Sequence, residues 1–205
     1  MNLLDGPIAL PLAALAAVLL DRIFGEVKRF HPLVGFGTLA SRLEQQLNHR
    51  QIADGLAAWA LAVLPWVFLA QLLRSWAPFT VDVLLLYFSI GAQSLCEHAR
   101  AIAKPLQAGN LDEARQRVGW IVSRETSTLD ETGVAKAGVE SVLENGNDAI
   151  FGTLFWFALL GGPGALLFRL ANTLDAMWAD ADPYIAAGVY QSVTVKPFKK
   201  ALPAG

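Results

Sequence analysis

The sequence of 205 residues contains little charge and one cysteine. Only 17% of its residues are Asp, Glu, Lys or Arg, 54% are hydrophobic, and the mean hydropathy is +0.41. A soluble domain usually carries about a quarter charged residues and less apolar content. The single Cys96 excludes a disulfide scaffold, the apolar fraction excludes disorder, and no Gly-X-Y period supports collagen. The composition therefore indicates an integral membrane protein.

The sequence also has no large excess of positive over negative residues, or of negative over positive ones. The chain has 16 Lys and Arg against 18 Asp and Glu, a formal net charge of −2. Nucleic-acid-binding proteins carry basic patches or a strongly basic balance, so we expect no nucleic-acid partner, and membrane lipid as the surroundings. Residues 1–5 contain no Lys or Arg and so lack the positive region of a cleaved signal peptide. The first apolar segment is interpreted as an uncleaved membrane helix.

Four apolar segments approach the length of about 20 residues that crosses the hydrocarbon of a bilayer. They cover residues 7–24, 52–73, 77–96 and 149–170. Lys and Arg concentrate in the loops after the first and third segments, which places both polar loops in the cytoplasm and the N-terminus outside. The prediction is an all-α, multi-pass integral membrane helical bundle with a cytoplasmic helical loop at 97–148.

The fourth segment is interrupted by Gly-Gly-Pro-Gly at 161–164, and such a run breaks a helix. One interpretation is a single kinked crossing, which leaves Asn172 and Asp175 outside. The other is a re-entrant pair of half-helices that returns both residues to the cytoplasmic face. We prefer re-entry, which implies a buried site, because irregular backbone at membrane depth needs protein or a wet cavity around it.

The polar loop contains a row of charges at helical spacing. Lys136, Glu140, Glu144 and Asp148 are each four residues apart, so they lie along one side of a helix. Three acids in one row can hold a divalent cation, whereas the bland interpretation is a solvated ladder in which Lys136 pairs with Glu140. Spacing alone favours the ladder. Two features favour a site instead. The Asn-Gly-Asn at 145–147 is not typical of an exposed helix face, and acidic side chains at a membrane boundary cost free energy unless they are paired or bound to a metal.

Other local signals are weaker. Thr128 with Glu131 matches a capping box and predicts a helix that begins near Leu129. Asp21 with Arg22 is either an interfacial ion pair or part of a site. No Walker motif, His-Glu-x-x-His motif or Cys/His zinc cluster occurs, and the glycines at 35–37 do not support a dinucleotide site. These motifs by themselves assign no function.

Four short motifs stand out in the polar stretches. They read D-R-I-F-G at 21–25 followed by R-F-H-P at 29–32, I-V-S-R-E-T-S-T-L-D at 121–130, V-E-S-V-L-E-N at 139–145 followed by Asp148, and A-N-T-L-D-A-M at 171–177. In this order and at this spacing they resemble the CbiB/CobD family of cobalamin biosynthesis proteins. The resemblance covers roughly residues 7–178, and four motifs in register are specific where one alone would be weak.

The resemblance implies an adenosylcobinamide-phosphate synthase of the bacterial inner membrane. Such an enzyme uses ATP to join the propionate carboxylate of adenosylcobyric acid, a corrinoid, to (R)-1-amino-2-propanol or its O-phosphate. Chemistry of this kind passes through an acyl phosphate, with Mg²⁺ and a cationic side chain neutralising the transferring phosphoryl group. On family grounds we also expect association with other enzymes of the cobalamin pathway, such as the one that makes the aminopropanol phosphate.

Charge and position within the motifs suggest roles for individual side chains. The expected catalytic residues are Arg124, Asp130, Glu140 and Glu144. Arg124 would meet phosphate, and Asp130 would orient it or act as a base. The expected metal ligands are Glu140, Glu144 and Asp148, with the substrate ammonium as their alternative partner. The expected substrate contacts are His31, Asn172 and Asp175.

The sequence departs from the family after Trp178. The family continues well beyond this point with another membrane segment, whereas residues 179–205 resemble neither a helix nor the family's end. We therefore expect a membrane domain at 1–178 with a divergent tail at 179–205, as in a shortened homologue. Two alternatives remain, an inactive truncated homologue and a non-catalytic membrane sensor of the same superfamily. A transporter fragment would show inverted repeats, and we find none.

Overall fold

A computed structural model describes residues 6–25, 32–47, 52–122 and 125–178. Within these ranges the chain forms helices and no strands, which confirms the predicted all-α class. The helices are α1 Ala9–Phe24, α2 Pro32–Leu47, α3 Ile52–Trp76, α4 Pro78–Ser89, α5 Ala92–Gln107, α6 Leu111–Val118, α7 Glu131–Gly146, a π-helix Asn147–Gly152, α8 Thr153–Leu160 and α9 Gly162–Trp178. They form two compact units. The first unit takes Met1–Ala92 with Asp148–Asp175, and the second takes Gln93–Asn147 with Ala176–Gly205.

Two helical stretches are long and apolar enough to cross a membrane, by length and composition. They are Ala53–Trp76 and Pro78–Gln107, and only 22% and 28% of their most apolar windows are buried within the protein. A core helix of a soluble protein would be mostly buried, so the exposed apolar faces suit lipid. The first stretch nearly matches the second predicted segment, and the second stretch contains most of the third predicted segment and continues beyond it to Gln107.

The third predicted segment contains a break that the sequence did not reveal. α4 ends at Ser89, and the following Ile90 has extended backbone with a ψ of 142°. The N–H of Gly91 then donates to the carbonyl of Ala149, 3.4 Å away, rather than to its own helix. Gly91 thus bonds to the segment at Ala149 instead of continuing the helix, and the stretch is divided into α4 and α5.

α1 and α4 pack side by side in the first unit. Ala13 and Ala17 of α1 are almost fully buried against Val83 and Leu86 of α4, and small residues allow such close packing. The hydroxyl of Tyr87, near the end of α4, donates to the carbonyl of Gly25 just after α1, at 2.9 Å. The two helices therefore run in the same direction.

α8 and α9 form an antiparallel hairpin around Gly161, whose φ is +70°. A Cβ at Gly164 would collide with the Trp156 carbonyl oxygen, and a Cβ at Gly152 would collide with the Phe168 ring. Gly164 meets Trp156, and Phe168, later in α9, meets the earlier residue Gly152. The two segments therefore run in opposite directions. The chain thus reverses direction between α8 and α9, while re-entry from one face of a membrane stays a prediction.

The second unit is built from α5, α6 and α7. Its apolar core consists of Ile102 from α5, Ala114 and Val118 from α6, and Val134 and Ala137 from α7. α6 begins where the Asn110 side chain accepts a hydrogen bond from the Glu113 N–H at 3.2 Å, which is an ordinary N-cap. It ends at Val118, and Gly119 follows as its C-cap.

The beginning of α7 corrects one prediction. Thr128 does not cap a helix near Leu129, because Asp130 is the N-cap and the helix begins at Glu131. The Asp130 carboxylate accepts the N–H of Gly133 at 2.7 Å, and its carbonyl accepts that of Val134 at 2.9 Å. Asp and Thr are both favourable N-cap residues, and the helix uses Asp130, two residues after Thr128.

Candidate functional site

The described parts of the central motif, residues 121–122 and 125–130, lie between α6 and α7, and both helices bond to them. Arg115 of α6 donates from Nε to the carbonyl of Leu129 at 2.7 Å, and Thr126 donates from Oγ1 to the carbonyl of Arg115 at 3.1 Å. Ser141 of α7 donates from Oγ to the carbonyl of Ile121 at 3.0 Å. These bonds fix backbone groups at both ends of the motif. Sequence reasoning missed Arg115 and Ser141, since neither spacing nor charge marks them as anchors.

Glu125 lies within this motif, and its carboxylate accepts the N–H of Ser127 at 2.9 Å. The hydrogen bond from the Ser127 backbone, helped by bonds from the Ser127 side chain and the Thr126 backbone, lowers the pKa of Glu125. The carboxylate is therefore firmly ionised at neutral pH. Arg124, the predicted phosphate contact, lies outside the described residues, as does His31.

Three of the predicted acids belong to the second unit. Asp130 caps α7, and this is the contact the structure gives its carboxylate. Glu140 and Glu144 are both exposed and lie one helical turn apart on α7. Lys136 Nζ lies 3.9 Å from Glu140 Oε1, at the outer limit of an ion pair. The first step of the solvated ladder, Lys136 with Glu140, is thus present.

The predicted row of acids runs from α7 into the π-helix. Asp148 lies in the π-helix that begins at Asn147, and it belongs to the first unit. A π-helix has wider i→i+5 turns, so the last member of the row lies in a different kind of helix from the first three. Among the residues that the structure describes, no three His, Cys, Asp or Glu side chains form a group that could hold a metal ion. The three-ligand set stays a prediction, with Glu140 and Glu144 as its adjacent pair.

The hairpin brings two acids of the first unit together. Asp148 precedes α8 and Asp175 lies near the end of α9, beyond the apolar segment. Partial burial, and secondarily the negative charge of Asp148, raise the pKa of Asp175, although the residue as a whole is exposed. Asn172 lies three residues earlier, on the same side of α9, and is half-buried. Asp148 and Asp175 therefore form a mutually repelling pair that suits a cation.

A further acid lies at this end of the first unit. Asp21, near the end of α1, is only 2% exposed. The end of α1 meets Tyr87 through Gly25, and Gly91, just beyond α4, meets Ala149 beside Asp148. Residues 21–25, Asp148 and residues 171–175 are thus brought to one end of the unit. The sequence indicated Asp21 because it is an acidic residue near the end of an apolar helix. It did not decide between an ion pair with Arg22 and a place in a site.

Comparison with known proteins places the chain in a family. A family model described as CobD/Cbib protein matches residues 14–191, a region that contains all four motifs. The chain belongs to the CobD/CbiB family. No solved structure matches it.

Curated relatives of the CobD/CbiB family carry names from one pathway. The chain is 53% identical over 174 residues to "Cobalamin biosynthesis protein CobD" of Stutzerimonas stutzeri, an alignment that covers 82% of the chain and 57% of that protein. It is 51% identical over 173 residues to the protein of the same name from Chromobacterium violaceum, covering 79% and 55%. A "Probable cobalamin biosynthesis protein CobD" of Pyrococcus furiosus is 36% identical over 169 residues, covering 78% and 58%.

The chain therefore spans little more than half the length of the curated relatives it matches. Family membership and these names place it among proteins of cobalamin biosynthesis. The expected family resemblance is confirmed at this level, including by the greater length of the relatives.

Proposed function

We propose that this chain carries the adenosylcobinamide-phosphate synthase site of its family, an ATP-dependent amide ligase acting on adenosylcobyric acid. The observation that supports the proposal is the match to the CobD/CbiB family over residues 14–191, which includes every polar motif. The acceptor would be (R)-1-amino-2-propanol or its O-phosphate. We place this activity in the bacterial inner membrane, with the polar loops in the cytoplasm.

The reaction must first make a carboxylate electrophilic. A propionate oxygen attacks the γ-phosphorus of ATP, the bond to ADP breaks, and an acyl phosphate forms. The amine, after losing the proton of its ammonium form, attacks the acyl carbon, and inorganic phosphate leaves with the carbon–oxygen bond pair. The products are the amide, ADP, phosphate and one proton. The protein must therefore bind an ammonium, accept a proton and neutralise phosphoryl charge.

Asp148 and Asp175 suit the first two tasks. An ammonium placed between two repelling carboxylates relieves their repulsion, and the raised pKa of Asp175 makes it a better proton acceptor than an ordinary aspartate. Asn172 would orient the acceptor through its amide. Asp21 lies at the same end of the unit, and we include it among the residues that shape the site.

Glu140 and Glu144 suit the phosphoryl group. Mg²⁺ is commonly held by one or two carboxylates together with water and substrate phosphates, so an adjacent pair fits without a third protein ligand. When bound, Mg²⁺ neutralises charge on the transferring phosphoryl group. Arg124 would contact phosphate, and His31 would contact phosphate or the corrinoid. Asp130 would act as base or orient the phosphate while it caps α7.

The test is detection of product by mass spectrometry. Purified chain in detergent or liposomes is mixed with ATP, Mg²⁺, adenosylcobyric acid and aminopropanol, with or without its phosphate. We expect cobinamide or its phosphate only when ATP is present, and the reactive acceptor identifies the substrate. Asp175→Asn should sharply lower product formation, whereas Asp54→Asn, an acid on α3 outside the site, should leave it unchanged.

The longer Stutzerimonas stutzeri protein is the positive control. Product from that protein but not from this chain would contradict the proposal that this stretch acts alone. It would favour the inactive truncated homologue. No product from either protein under conditions that bind corrinoid would favour the membrane sensor.

A further inference from the structure

A buried ion pair joins the end of α3 to the beginning of α4. Arg74 donates from Nε to Asp82 Oδ1 at 2.7 Å and from Nη2 to Oδ2 at 3.1 Å. The Asp82 side chain is 5% exposed and that of Arg74 is 27% exposed. Removing such charges from water is costly, and a buried pair of this kind persists where further hydrogen bonds satisfy it.

The further bond comes from the hairpin. The N–H of Gly162, the first residue of α9, donates to Asp82 Oδ1 at 2.7 Å, across 80 residues of sequence. The first N–H groups of a helix have no partner within the helix and lie at the positive end of its dipole. The Asp82 carboxylate therefore binds a guanidinium on one side and a helix N-terminus on the other.

The glycines of the turn fit closely against this pair. A Cβ at Gly161 would lie 2.8 Å from Arg74 Nη2 and 2.9 Å from its Cζ. A Cβ at Gly162 would lie 3.0 Å from both Oδ1 and Cα of Asp82. The φ of +70° at Gly161 excludes most other residues independently of the contact. We call Arg74, Asp82, Gly161 and Gly162 the turn joint.

The turn joint lies at one end of α9 and Asp175 near the other. Thirteen residues separate Gly162 from Asp175, which is about 20 Å along a helix. A tilt of α9 by about 10° at the joint would move Asp175 by roughly 3 Å over this length. Displacements of that size are large compared with the tolerance of a reacting geometry.

We propose that Arg74 and Asp82 are positioning residues, which hold α9 so that Asp175 and Asn172 lie beside Asp148. The inference rests on the proposed function of that end of the unit. Stability alone would not require this arrangement, because well-packed apolar residues often stabilise as well as a buried ion pair. The shared Oδ1 connects the pair specifically to the first N–H of the helix that carries Asp175.

The first experiment measures position without activity. In a Cys96→Ser chain, Asp148→Cys and Asp175→Cys are crosslinked in native membranes with a short bis-maleimide. Addition of Arg74→Gln should lower the crosslinking rate at least fivefold, Arg74→Lys should lower it less, and the matched control Arg42→Gln on α2 should leave it unchanged. A rate unchanged by Arg74→Gln would overturn the proposal.

A second variant covers the case in which a lone Asp82 carboxylate prevents folding. Arg74→Gln with Asp82→Asn leaves no unpaired charge and keeps an acceptor for the Gly162 N–H. We expect it to insert and to crosslink more slowly than the parent. Crosslinking at the parent's rate would show that the ion pair is not needed for position.

The second experiment measures turnover as a double-mutant cycle. Arg74→Gln should lower kcat about tenfold in the parent, as expected for a misplaced group, and should lower it no further in an Asp175→Asn chain with residual activity. Equal losses in both backgrounds would indicate a role unrelated to Asp175. If the chain has no ligase activity at all, the crosslinking result still decides the positioning role, so the two failures are distinguishable.

Discussion

At the scale of single residues, Asp175 has a carboxyl group whose surroundings disfavour its charge. Because its pKa is raised in the folded chain, its contribution to stability is lost as pH rises from the ordinary aspartate pKa through the raised one. Asp175→Asn should therefore raise the melting temperature by about 1–3 °C at pH 8 and leave it unchanged at pH 4. Thermal unfolding in detergent at the two pH values measures this. An equal effect at both would contradict the assigned cause. Asp148→Asn should weaken the pH dependence without removing it, because burial is the larger cause.

Glu140 is the residue at which the ladder and the metal site make different predictions. In a solvated ladder, Lys136→Gln and Glu140→Gln remove the same weak pair and have the same small effect on stability. In a metal site, only Glu140→Gln raises the Mg²⁺ concentration needed for half-maximal ligation, by about tenfold or more. A Mg²⁺ titration of turnover for the two variants separates these interpretations. Matching curves would support the ladder.

At the scale of elements, the hairpin depends on Gly161. Gly161→Ala introduces a side chain at positive φ, which costs about 1–2 kcal/mol, and places it against the Arg74 guanidinium. We expect a clear fall in the unfolding midpoint in detergent. The matched control is Gly35→Ala in α2, where a Cβ meets nothing within 4 Å, and an added methyl group in a helix stabilises by about 0.5–1 kcal/mol. A midpoint that falls equally in both variants would contradict the assigned role of the turn.

At the beginning of α7, two substitutions of Asp130 distinguish its role as a helix cap from a role as a catalytic base. Asp130→Ala removes the cap and should cost about 1 kcal/mol, whereas Asp130→Asn retains an acceptor for the Gly133 N–H and should leave stability nearly unchanged. If Asp130 is also a base, Asp130→Asn should lower kcat about a hundredfold in a folded chain. Stability and turnover of the two variants give the answer. Full activity in Asp130→Asn would reduce its role to capping.

At the scale of the whole molecule, the exposed apolar surface predicts where the chain resides. Phe68 and Trp76 on α3 are 73% and 85% exposed, and their neighbours on the helix are mostly apolar too. A contiguous surface of this kind does not persist in water. We expect the chain in the membrane fraction, resistant to carbonate extraction and released by detergent. A monodisperse chain in buffer without detergent would contradict a membrane protein.

Local rules predicted the features that depend on local chemistry. The break at Gly161 and the reversal of α9 follow from the Gly-Gly-Pro-Gly run and the short segment before it. The spacing rule assumes an α-helix, so it predicted the row from Lys136 to Asp148 but not the change to a π-helix after Gly146. The bond from Gly162 to Asp82 joins residues 80 apart, so only the fold could reveal it. His31 and Arg124 remain predictions from motif alone.

The distance of 80 residues along the chain between Asp82 and Gly162 has a consequence for the order in which these contacts form during synthesis. A chain emerging from the ribosome presents Arg74 and Asp82 long before Gly162 exists, so the ion pair has time to form while one hydrogen bond of Asp82 is still unmade. The α8–α9 hairpin is synthesised later, so the Gly162 N–H is the last of these groups to become available to Asp82. α9 therefore docks onto side chains of α3 and α4 that precede it in synthesis.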